Sequence, residues 1–384
     1  MAYVAAVVGA GGKTGYIRKR AEENASLHKR TAIMTTTHIM EEPSEWLIDY
    51  IGTPCETDAF GRNKLTWPGE KVYRDVYAAY DEVLIEADGA KHHPLKIPAD
   101  YEPVIPEDVN EIVIVMSGFA IGRDFHEVCF RSALADAQIR EIVQKEPAVS
   151  RALIDLIVEK YYRKPLAARY PLAEIRYVFH HEAVRKPEDV RILAVLLASG
   201  ESRRFGEDNK LFAMFNGKPL YRWQFDALRE AKRAGTGLRL DIAAVSCYDK
   251  ILKETCAAGE AVPIRNEEFR EGIAASIRLG AAYALRNGYD AAAFFAADQP
   301  SFGKADVRGL LEQFVLSGRK MACAFSSHPA NPAVFDRTMF GKLTELKGDT
   351  GAVRLIRSDP GNVHYYIVSE EKLRDVDTPE DLGR

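Results

Sequence analysis

Two short hydrophobic runs, one at the start of the chain and one in its middle, pass directly into a glycine-containing loop with a basic residue beyond it. Residues 4–8 lead into GAGGKT, and residues 192–196 lead into LASGESRRFG. Elsewhere short apolar runs alternate with longer amphipathic stretches, which is the pattern of βα units. Ligands of doubly wound sheets lie at the carboxyl ends of the strands. The sequence therefore predicts an α/β protein with two Rossmann-like, doubly wound domains and a nucleotide site in each.

The length and the position of one polar segment divide the chain. Its 384 residues correspond to two domains at roughly 100 to 200 residues each. We place the boundary in HHEAVRKPEDVR, so that the domains cover residues 1–185 and 190–384. The apolar runs predict strands at residues 3–8, 31–35, 82–87, 112–116, 175–179, 192–198, 241–246, 291–297 and 320–325. The amphipathic stretches predict helices at residues 15–27, 219–234, 272–287 and 304–317, and a helical extension of the first domain over residues 131–162.

Composition narrows the class of protein. The chain has 52 Lys and Arg against 56 Asp and Glu, a net charge of −4, which argues against nucleic acid as a partner. The five cysteines are scattered without a CxxC pair, as in a reduced cytoplasmic protein without structural zinc or disulfides. The apolar runs are shorter than the roughly 18 residues of a membrane span, and the first residues lack the basic leader of a signal peptide. We expect a soluble cytoplasmic protein.

The first glycine loop has the composition of a phosphate-binding loop. Its glycines let backbone N–H groups turn toward phosphate oxygens, and the helix that follows adds the dipole of its N-terminus. Lys13 supplies a positive charge, and the Thr14 hydroxyl can bind Mg²⁺. The spacing GxxGK[ST] is shorter than GxxxxGK[ST] and is similar to that of Mur-type ligases. A glycine-rich turn with an incidental lysine is the alternative. The predicted nucleotide-binding residues here are Gly9, Gly11, Gly12, Lys13, Thr14, Glu86 and Asp88.

Glu86 and Asp88 stand at the end of an apolar strand. Acids at the end of a strand next to a phosphate loop commonly hold Mg²⁺ or its water, although such acids also occur as surface caps. The segment after Asp88 is basic. It could meet a second anionic substrate or form a solvated loop, and its basic residues are Lys91, His92, His93 and Lys96.

Several motifs of the first domain occur together in one family. They are GAGGKT, TTTH, IEADGAKHHPLKIP and YEPVIP. On these motifs, residues 4–131 resemble the YqeC-type accessory proteins of selenium-dependent molybdenum hydroxylases, and the combination of ADGA with EPVIP makes the resemblance specific. Gly15 stands where that family often has threonine. The resemblance implies that ATP or GTP is used in the maturation of a molybdenum enzyme, with a molybdenum hydroxylase as the client partner.

The second glycine loop predicts a triphosphate site. Small residues can wrap a triphosphate and the edge of a base, while Arg204 and Lys210 neutralise the charge that develops during phosphoryl transfer. Arginine offers a fork to phosphate oxygens and lysine a point charge. We assign both as catalytic residues. The nucleotide-binding residues predicted in this loop are Leu197, Ala198, Ser199, Gly200 and Gly206.

Two acids of the second half are candidates for a metal site. Asp298 follows the strongly apolar run at residues 291–297, and Asp349 lies in the glycine-flanked turn GDTG. A metal held between two carboxylates can orient the α-phosphate and the attacking oxygen. We therefore assign Asp298 and Asp349 as catalytic residues and Mg²⁺ ligands. In the first domain, Thr14 is the predicted metal ligand. Further nucleotide contacts are predicted at Gly272 and Ser276, on the bare face of a helix, and at Asn266 just upstream of it. Tight packing on the sheet is the alternative for Gly280, on the same face.

The second half as a whole is similar to one family. The shared motifs are LASGESRRFGEDNKL, ADQP, Asn331-Pro332, GDTG and DVDTPED, together with Asn266, Gly272 and Ser276. Residues 192–382 resemble the MobA-like nucleotidyltransferases, and most closely the MocA-type molybdenum cofactor cytidylyltransferases. The resemblance implies a nucleotide-diphospho-sugar-transferase-like fold and the Mg²⁺-dependent transfer of CMP from CTP to molybdopterin. Ser199 stands where cytidylyl enzymes usually have alanine.

Two alternatives stay open at this point. The transferase could act on a sugar or alditol phosphate in place of molybdopterin. The first domain could be a nucleotide-gated binding module that delivers selenium or a cofactor to a hydroxylase.

Overall fold

The computed structural model describes residues 1–57, 63–180, 186–200, 205, 209–235, 237–349 and 351–383. The chain divides into two compact units, Met1–His181 and Glu182–Arg384. Each unit has its own sheet and its own hydrophobic clusters. The two predicted residues Arg204 and Gly206 lie outside the described residues.

The first unit is built on a parallel sheet with helices on both faces. Its strands are β1 (Tyr3–Gly9), β2 (Thr31–Thr35), β3 (Ile39–Met40), β4 (Ile48–Tyr50), β5 (Thr53–Thr57), β6 (Asn63–Thr66), β7 (Glu82–Glu86), β8 (Leu95–Lys96), β9 (Glu111–Ser117), β10 (Cys129–Phe130) and β11 (Glu174–His180). Its helices are α1 (Lys13–Ser26), α2 (Glu70–Ala79), α3 (Phe125–Val128), α4 (Ala137–Lys145), α5 (Arg151–Ile157) and α6 (Lys164–Arg169), with a π-helical turn at Val158–Arg163.

Strand β1 lies inside a six-stranded sheet of order β11-β9-β1-β7-β2-β4, whose neighbouring strands are all parallel. It is covered on both faces: Val4 and Val8 belong to one hydrophobic cluster, and Ala5 and Val7 belong to another. A strand buried on both faces reads as a continuous hydrophobic run. This explains why the strand predictions of the first half are confirmed, each to within one residue.

Several local features differ from the predictions, and helix α2 and the short strands β4, β8 and β10 were not predicted. Helix α1 begins at Lys13, two residues earlier than predicted, so that Lys13 and Thr14 lie in its first turn. The antiparallel sheet of order β3-β6-β5 was not predicted, because every residue of β5 is exposed and gives no hydrophobic signal. The predicted helical extension is confirmed; it runs from α4 to α6, and Ile139, Ile154 and Tyr162 bury it against the sheet.

The second unit has a mixed sheet. Its strands are β12 (Arg191–Leu197), β13 (Met214–Phe215), β14 (Lys218–Pro219), β15 (Arg239–Ser246), β16 (Val262–Arg265), β17 (Ala291–Ala296), β18 (Met321–Phe325), β19 (Pro329–Asp336) and β20 (Val363–Ile367). Its helices are α7 (Leu220–Arg233), α8 (Asp249–Cys256), α9 (Ile273–Arg286), α10 (Lys304–Ser317), α11 (Phe340–Thr344) and α12 (Val353–Ser358).

The main sheet of the second unit has the order β16-β15-β12-β17-β19-β18-β20, with β19 antiparallel to both of its neighbours. Alternate residues of β12 belong to two clusters, Ala194 and Leu196 on one face and Leu193 and Val195 on the other. The predicted strands and helices of this half are confirmed. The elements that were missed are β13, β14, β16, β19, β20, α8, α11 and α12. Both units therefore have a mixed α/β architecture, with a central sheet and helices packed on it.

Strands β1 and β12 occupy equivalent positions in their sheets. After β1 the chain builds β2, β4 and β7 on one side and then β9 and β11 on the other; after β12 it builds β15 and β16 on one side and β17 on the other. Such a reversal of strand order opens a crevice at the carboxyl ends of the strands. The two glycine-containing loops both begin there. Among the described residues, no helix is both long and apolar enough to cross a membrane.

Candidate nucleotide sites

The loop after β1 adopts a backbone that only glycine allows. Gly9, Gly11 and Gly12 have φ values of 102°, 72° and 129°. A Cβ atom on Gly9 would lie 2.2 Å from the carbonyl oxygen of Val115, and one on Gly11 would lie 2.4 Å from the Cβ of Ser117. The loop is thus pressed against the end of β9 and leads directly into α1. The N-terminus of this helix is a place where backbone N–H groups can meet an anion.

Lys13 is folded back onto this loop. Its Nζ donates to the Gly9 carbonyl at 2.7 Å and forms an ion pair with Asp88 Oδ1 at 2.8 Å. Both side chains are buried, with 5% of Lys13 and none of Asp88 exposed. The Gly9 N–H lies 3.1 Å from each Asp88 oxygen. Asp88 therefore holds both the loop and its lysine, and a phosphate in the loop would compete with Asp88 for Lys13.

Thr14 and Glu86 lie side by side. The Thr14 hydroxyl donates to Glu86 Oε2 at 3.1 Å. Burial raises the pKa of Glu86, and the charge of Lys13 and the hydrogen bond from Thr14 offset only part of that rise. A hydroxyl next to a carboxylate is a donor set of the kind that binds Mg²⁺ together with phosphate oxygens. The structure thus brings Lys13, Thr14, Glu86 and Asp88 together at one end of the sheet.

Lys96 corrects the interpretation of the basic segment. It was grouped with Lys91, His92 and His93 as a substrate-binding patch or a solvated loop, but its side chain is fully buried. Its Nζ lies 3.3 Å from Asp88 Oδ2 and 2.7 Å from Glu102 Oε2. A buried cation needs such partners because desolvation would otherwise be prohibitive. Through Asp88, Lys96 therefore supports the glycine loop after β1.

In the second unit, the loop after β12 is held between two neighbouring strands. The Ala198 N–H donates to the Val245 carbonyl at 2.9 Å, and the Leu197 carbonyl accepts from the Ala297 N–H at 3.1 Å. The Ser199 hydroxyl donates to Val245 at 3.3 Å. These contacts fix the predicted residues Leu197, Ala198 and Ser199 at the carboxyl ends of three parallel strands.

Gly200 is anchored by two side chains that sequence reasoning missed. Its carbonyl accepts hydrogen bonds from Asn209 Nδ2 and from the Tyr248 hydroxyl, each at 3.0 Å. Asn209 directly precedes Lys210 and caps the short 3₁₀ turn that contains it. The described ends of this loop are therefore pinned to each other, next to Lys210.

Lys210 lies between two carboxylates. Its Nζ is 2.7 Å from Asp298 Oδ2 and 2.8 Å from Asp377 Oδ1. Burial by itself would lower the pKa of Lys210, but the charges and hydrogen bonds of Asp298 and Asp377 outweigh it, and the net shift is upward. The predicted catalytic pair Lys210 and Asp298 is therefore in direct contact, and Lys210 is held protonated.

A third carboxylate, that of Asp375, lies in the same cluster. Asp375 is an exposed residue, and partial desolvation together with repulsion from Asp298 and Asp377 raises the pKa of its carboxyl to about 6. A hydrogen bond with Gln299 and the charge of Lys210 oppose this rise. The chain is fixed here because the N–H of Val376, a buried residue between the two acids, donates to the Asp298 carbonyl at 3.0 Å. The alternation Asp-Val-Asp places both acids on one side of an extended segment. That pattern was the sequence signal that could have revealed them.

Asp349 contacts the start of another helix of this half. It packs against Gly272 at the start of α9, where a Cβ atom would lie 2.3 Å from Asp349 Oδ1 and where φ is 94°. The Gly348 carbonyl accepts from the Ala274 N–H at 3.1 Å. The pairing of Asp298 with Asp349 around a metal stays a prediction, whereas the contacts of Asp298 are with Lys210 and, through charge, with Asp375.

Asn266 and Ser276 meet beneath the start of α9. Asn266 is fully buried, and its Nδ2 donates to the Ser276 hydroxyl at 2.9 Å. Its Oδ1 has no hydrogen-bond partner among the described residues. A buried amide oxygen without a donor is costly unless a ligand supplies one. On the same helix, a Cβ on Gly280 would lie 2.8 Å from Val195 Cγ1, so the packing interpretation of Gly280 is confirmed.

The acids of the two sites do not form a closed metal cage. Across the described part of the chain, no group of three or more His, Cys, Asp and Glu side chains is arranged to hold a metal ion. Mg²⁺ is commonly bound by one or two carboxylates together with substrate phosphates and water. Acids in contact with a lysine, as found in both units, fit that mode of binding.

Family models match both halves of the chain. Residues 5–133 match the YqeC protein family, and residues 194–363 match the MobA-like NTP transferase domain. A curated relative, the uncharacterized protein YqeC of Escherichia coli (strain K12), is 30% identical over 171 residues, which are 40% of this chain and 66% of that protein. The chain thus spans just under two thirds of the length of this relative.

Solved structures also resemble half of the chain. Rv0371c of Mycobacterium tuberculosis H37Rv is 25% identical with a TM-score of 0.41, and covers 51% of this chain and 97% of its own. A manganese complex of the same protein is 22% identical, with a TM-score of 0.40 and the same coverage. The molybdopterin-guanine dinucleotide biosynthesis protein A of Archaeoglobus fulgidus is 21% identical with a TM-score of 0.37, and covers 50% of this chain and 95% of its own. The family matches confirm the YqeC and MobA-like resemblances seen in the sequence: the chain contains a YqeC domain at residues 5–133 and a MobA-like NTP transferase domain at residues 194–363.

Proposed function

We propose that the second unit is a Mg²⁺-dependent CTP:molybdopterin cytidylyltransferase, and that the first unit is an ATP- or GTP-binding domain that serves the maturation of a molybdenum hydroxylase. The observation that carries the first part is the contact of Lys210 with Asp298 and Asp377 at the carboxyl ends of the central strands. A nucleotidyltransferase needs a cation for the triphosphate and acids for a metal at one place. CTP and molybdopterin are supported by the MocA-like loop and the YqeC-like first domain. We place this chemistry in the cytoplasm, as the sparse cysteines without a CxxC pair predict.

In this proposal a phosphate oxygen of molybdopterin attacks the α-phosphorus of CTP. A new oxygen–phosphorus bond forms, the bond to the bridging oxygen of the β-phosphate breaks, and pyrophosphate leaves with that electron pair. Lys210, with Arg204 from the same loop, binds the triphosphate and stabilises the negative charge that accumulates on it. Asn266 Oδ1 accepts a hydrogen bond from the nucleotide.

The metal would be held by Asp298 and Asp375, while Asp377 positions Lys210. We choose Asp375 over Asp349 as the second ligand because its repulsion from Asp298 and Asp377 would be relieved by a cation. A bound Mg²⁺ would supply charge stabilisation for the triphosphate and for the departing pyrophosphate. Asp349 would then fix the start of α9 through its contact with Gly272.

The decisive measurement is pyrophosphate release from CTP and molybdopterin by the full chain. We expect Asp298→Asn and Asp375→Asn to lower kcat by about a hundredfold or more, and Asp349→Asn to act mainly on stability. If Asp298→Asn leaves the rate unchanged, the metal role of Asp298 is wrong. If Asp349→Asn matches Asp298→Asn in rate while Asp375→Asn does not, then the second ligand is Asp349.

The acceptor and the base are tested together. A panel of the four nucleoside triphosphates against molybdopterin, sugar phosphates and alditol phosphates distinguishes the proposed reaction from transfer to a sugar or alditol phosphate. Turnover with CTP and molybdopterin alone is the expected result. Turnover with simple phosphorylated sugars and without a pterin would support the alternative, and a preference for GTP would correct the base.

For the first unit, the supporting observation is the glycine loop with Lys13 and the Thr14–Glu86 pair. We expect ATP or GTP to bind the full chain at a site that Lys13→Met removes and Lys210→Met leaves intact. Slow hydrolysis that depends on a client hydroxylase would support a nucleotide-gated delivery module. Rapid hydrolysis without any partner, abolished by Lys13→Met, would contradict gating.

A further inference from the structure

A cluster of cations and aromatic rings lies beside the glycine loop of residues 9–14, which is the proposed phosphate loop of the first unit. It consists of Lys91, Tyr101, Phe130 and Arg131, and we call it the aromatic cluster. The Arg131 guanidinium carbon lies 4.8 Å from the centre of the Phe130 ring and 5.6 Å from that of Tyr101. The Lys91 Nζ lies 5.6 Å from the centre of the Phe130 ring. The Phe130 ring is thus contacted by two cations, Arg131 from its own segment and Lys91 from the segment before β8.

The aromatic cluster and the phosphate loop are joined through Pro94. A Cβ atom on Gly11 would lie 3.1 Å from the Pro94 carbonyl oxygen, so the segment that carries Lys91 packs directly on the phosphate loop. Strand β8, which follows Pro94, pairs in parallel with β10, and this pairing sets Lys96 opposite Phe130. Arg131 is the next residue. Both halves of the aromatic cluster are therefore fixed to the side of the phosphate loop by backbone structure.

A chain of buried charges connects Arg131 with Lys13. Asp88 contacts Lys13 and Lys96, Lys96 contacts Glu102, and the Glu102 carboxylate lies 2.5 Å from Arg131 Nη1. Burying so many charges costs more free energy than an apolar core of the same size, which makes pure stabilisation a poor explanation for the arrangement. Its geometric effect is to hold the Arg131 guanidinium at a set distance from the phosphate loop.

The backbone of the aromatic cluster is strained. Lys91, His92 and Arg131 have φ values of 45°, 65° and 61°, and they are three of the six non-glycine residues with positive φ in the described part of the chain. Backbone strain of this kind concentrates at ligand sites. Here it aims Lys91 and Arg131 at the same ring.

The two cations remain accessible. Lys91 is an exposed residue, and 24% of the Arg131 side chain is exposed. Arg131 donates through Nη1 to Glu102 and through Nη2 to the Tyr101 hydroxyl at 3.0 Å, which leaves further N–H groups of its fork for an acceptor. A guanidinium and an ammonium next to aromatic rings are suited to a phosphate or another oxyanion.

We propose that the aromatic cluster binds a second ligand of the first unit, a small molecule that bears a phosphate or another oxyanion, next to the phosphate loop. The proposal rests on the proposed function only for the identity of its neighbour, a nucleotide in that loop. Lys91 and Arg131 bind the oxyanion, and Phe130 and Tyr101 hold the two cations in place.

The test is the acetylation rate of Lys91 in the full chain, followed by peptide mass spectrometry, with inorganic phosphate as the probe and sodium chloride at equal ionic strength as the reference. Lys71, an exposed lysine on α2, is the internal control. We expect phosphate to slow the acetylation of Lys91 and to leave Lys71 unchanged. Arg131→Gln should weaken this protection about tenfold. Arg131→Lys, which keeps the charge beside Glu102 and therefore the fold, should give an intermediate affinity.

Two further variants separate this site from the phosphate loop and from general charge. Arg74→Gln removes an exposed, ion-paired arginine of the same unit and should leave the protection of Lys91 intact. Lys13→Met should also leave it intact, even where it abolishes nucleotide binding. Equal labelling of Lys91 with and without phosphate overturns the proposal. So does protection that persists in both Arg131 variants and disappears in Lys13→Met, and that result would leave the phosphate loop supported.

Discussion

Asp88 is the residue through which the stability of the first unit and its ligand binding can be examined together. Its carboxylate lies 2.8 Å from Lys13, 3.3 Å from Lys96 and 3.1 Å from the Gly9 N–H, and it is fully buried. Asp88→Asn keeps the shape of the side chain and removes its charge. Lys96 retains Glu102, whereas Lys13 retains the Gly9 carbonyl and the more distant charge of Glu86. The variant therefore leaves one buried ammonium without a direct ion pair.

Breaking a buried ion pair by removing one partner costs about 3 to 5 kcal/mol. Because Lys96 keeps a partner, we expect the lower end, about 3 kcal/mol, which lowers the Tm of a unit of this size by roughly 6 to 12 °C. Lys13→Met should cost less, since Asp88 keeps Lys96 and the Gly9 N–H. The double variant, which has neither charge, should be more stable than Asp88→Asn alone. Thermal unfolding of the four proteins by calorimetry measures this cycle.

Ligand binding gives an independent readout of the same pair. In the wild type a phosphate must draw Lys13 away from Asp88, and in Asp88→Asn it meets no such competition. Without a divalent metal, ATP should therefore raise the Tm of Asp88→Asn more than that of the wild type. The reasoning is refuted if Asp88→Asn unfolds at the wild-type temperature, or if the double variant is no more stable than Asp88→Asn.

Three further predictions follow from single contacts. Asp375→Asn should raise the Tm above a pH of about 6 and lose this advantage as the pH falls toward 3.8. The reason is that a carboxyl whose pKa is higher in the folded state destabilises the fold once it ionises. A gain in Tm that grows toward low pH would contradict this. Gly11→Ala should abolish nucleotide binding to the first unit in a titration, because the new Cβ would lie 2.4 Å from the Cβ of Ser117 and φ is 72°. The control Gly89→Ala, whose Cβ has no atom within 4 Å, should bind nucleotide as the wild type does. Gly280→Ala should lower the free energy of unfolding in a denaturant titration by about 1 to 3 kcal/mol, because its Cβ overpacks Val195. An unchanged free energy of unfolding would contradict this and would mean that β12 can shift to make room.

Local sequence patterns were sufficient for the central strands and for the two loops. Strands such as β1 and β12 are buried on both faces, so an unbroken hydrophobic run identifies them. The exposed strand β5 and the strand β19, which contains Pro329 and Pro332, have no such run. Pairing with neighbours decides whether segments of that kind become strands, and a single sequence does not reveal that pairing.

The candidate sites divide in the same way. Gly9 to Thr14 form a contiguous site, because a loop and the first turn of a helix are local structures that the sequence by itself determines. Lys210 and Asp377, by contrast, are 167 positions apart in the sequence. Lys96 belongs to a basic segment in the sequence, but in the structure it is buried between Asp88 and Glu102. Only the tertiary structure decides which charges meet, because ion pairs between distant segments depend on where the sheet brings the ends of its strands together.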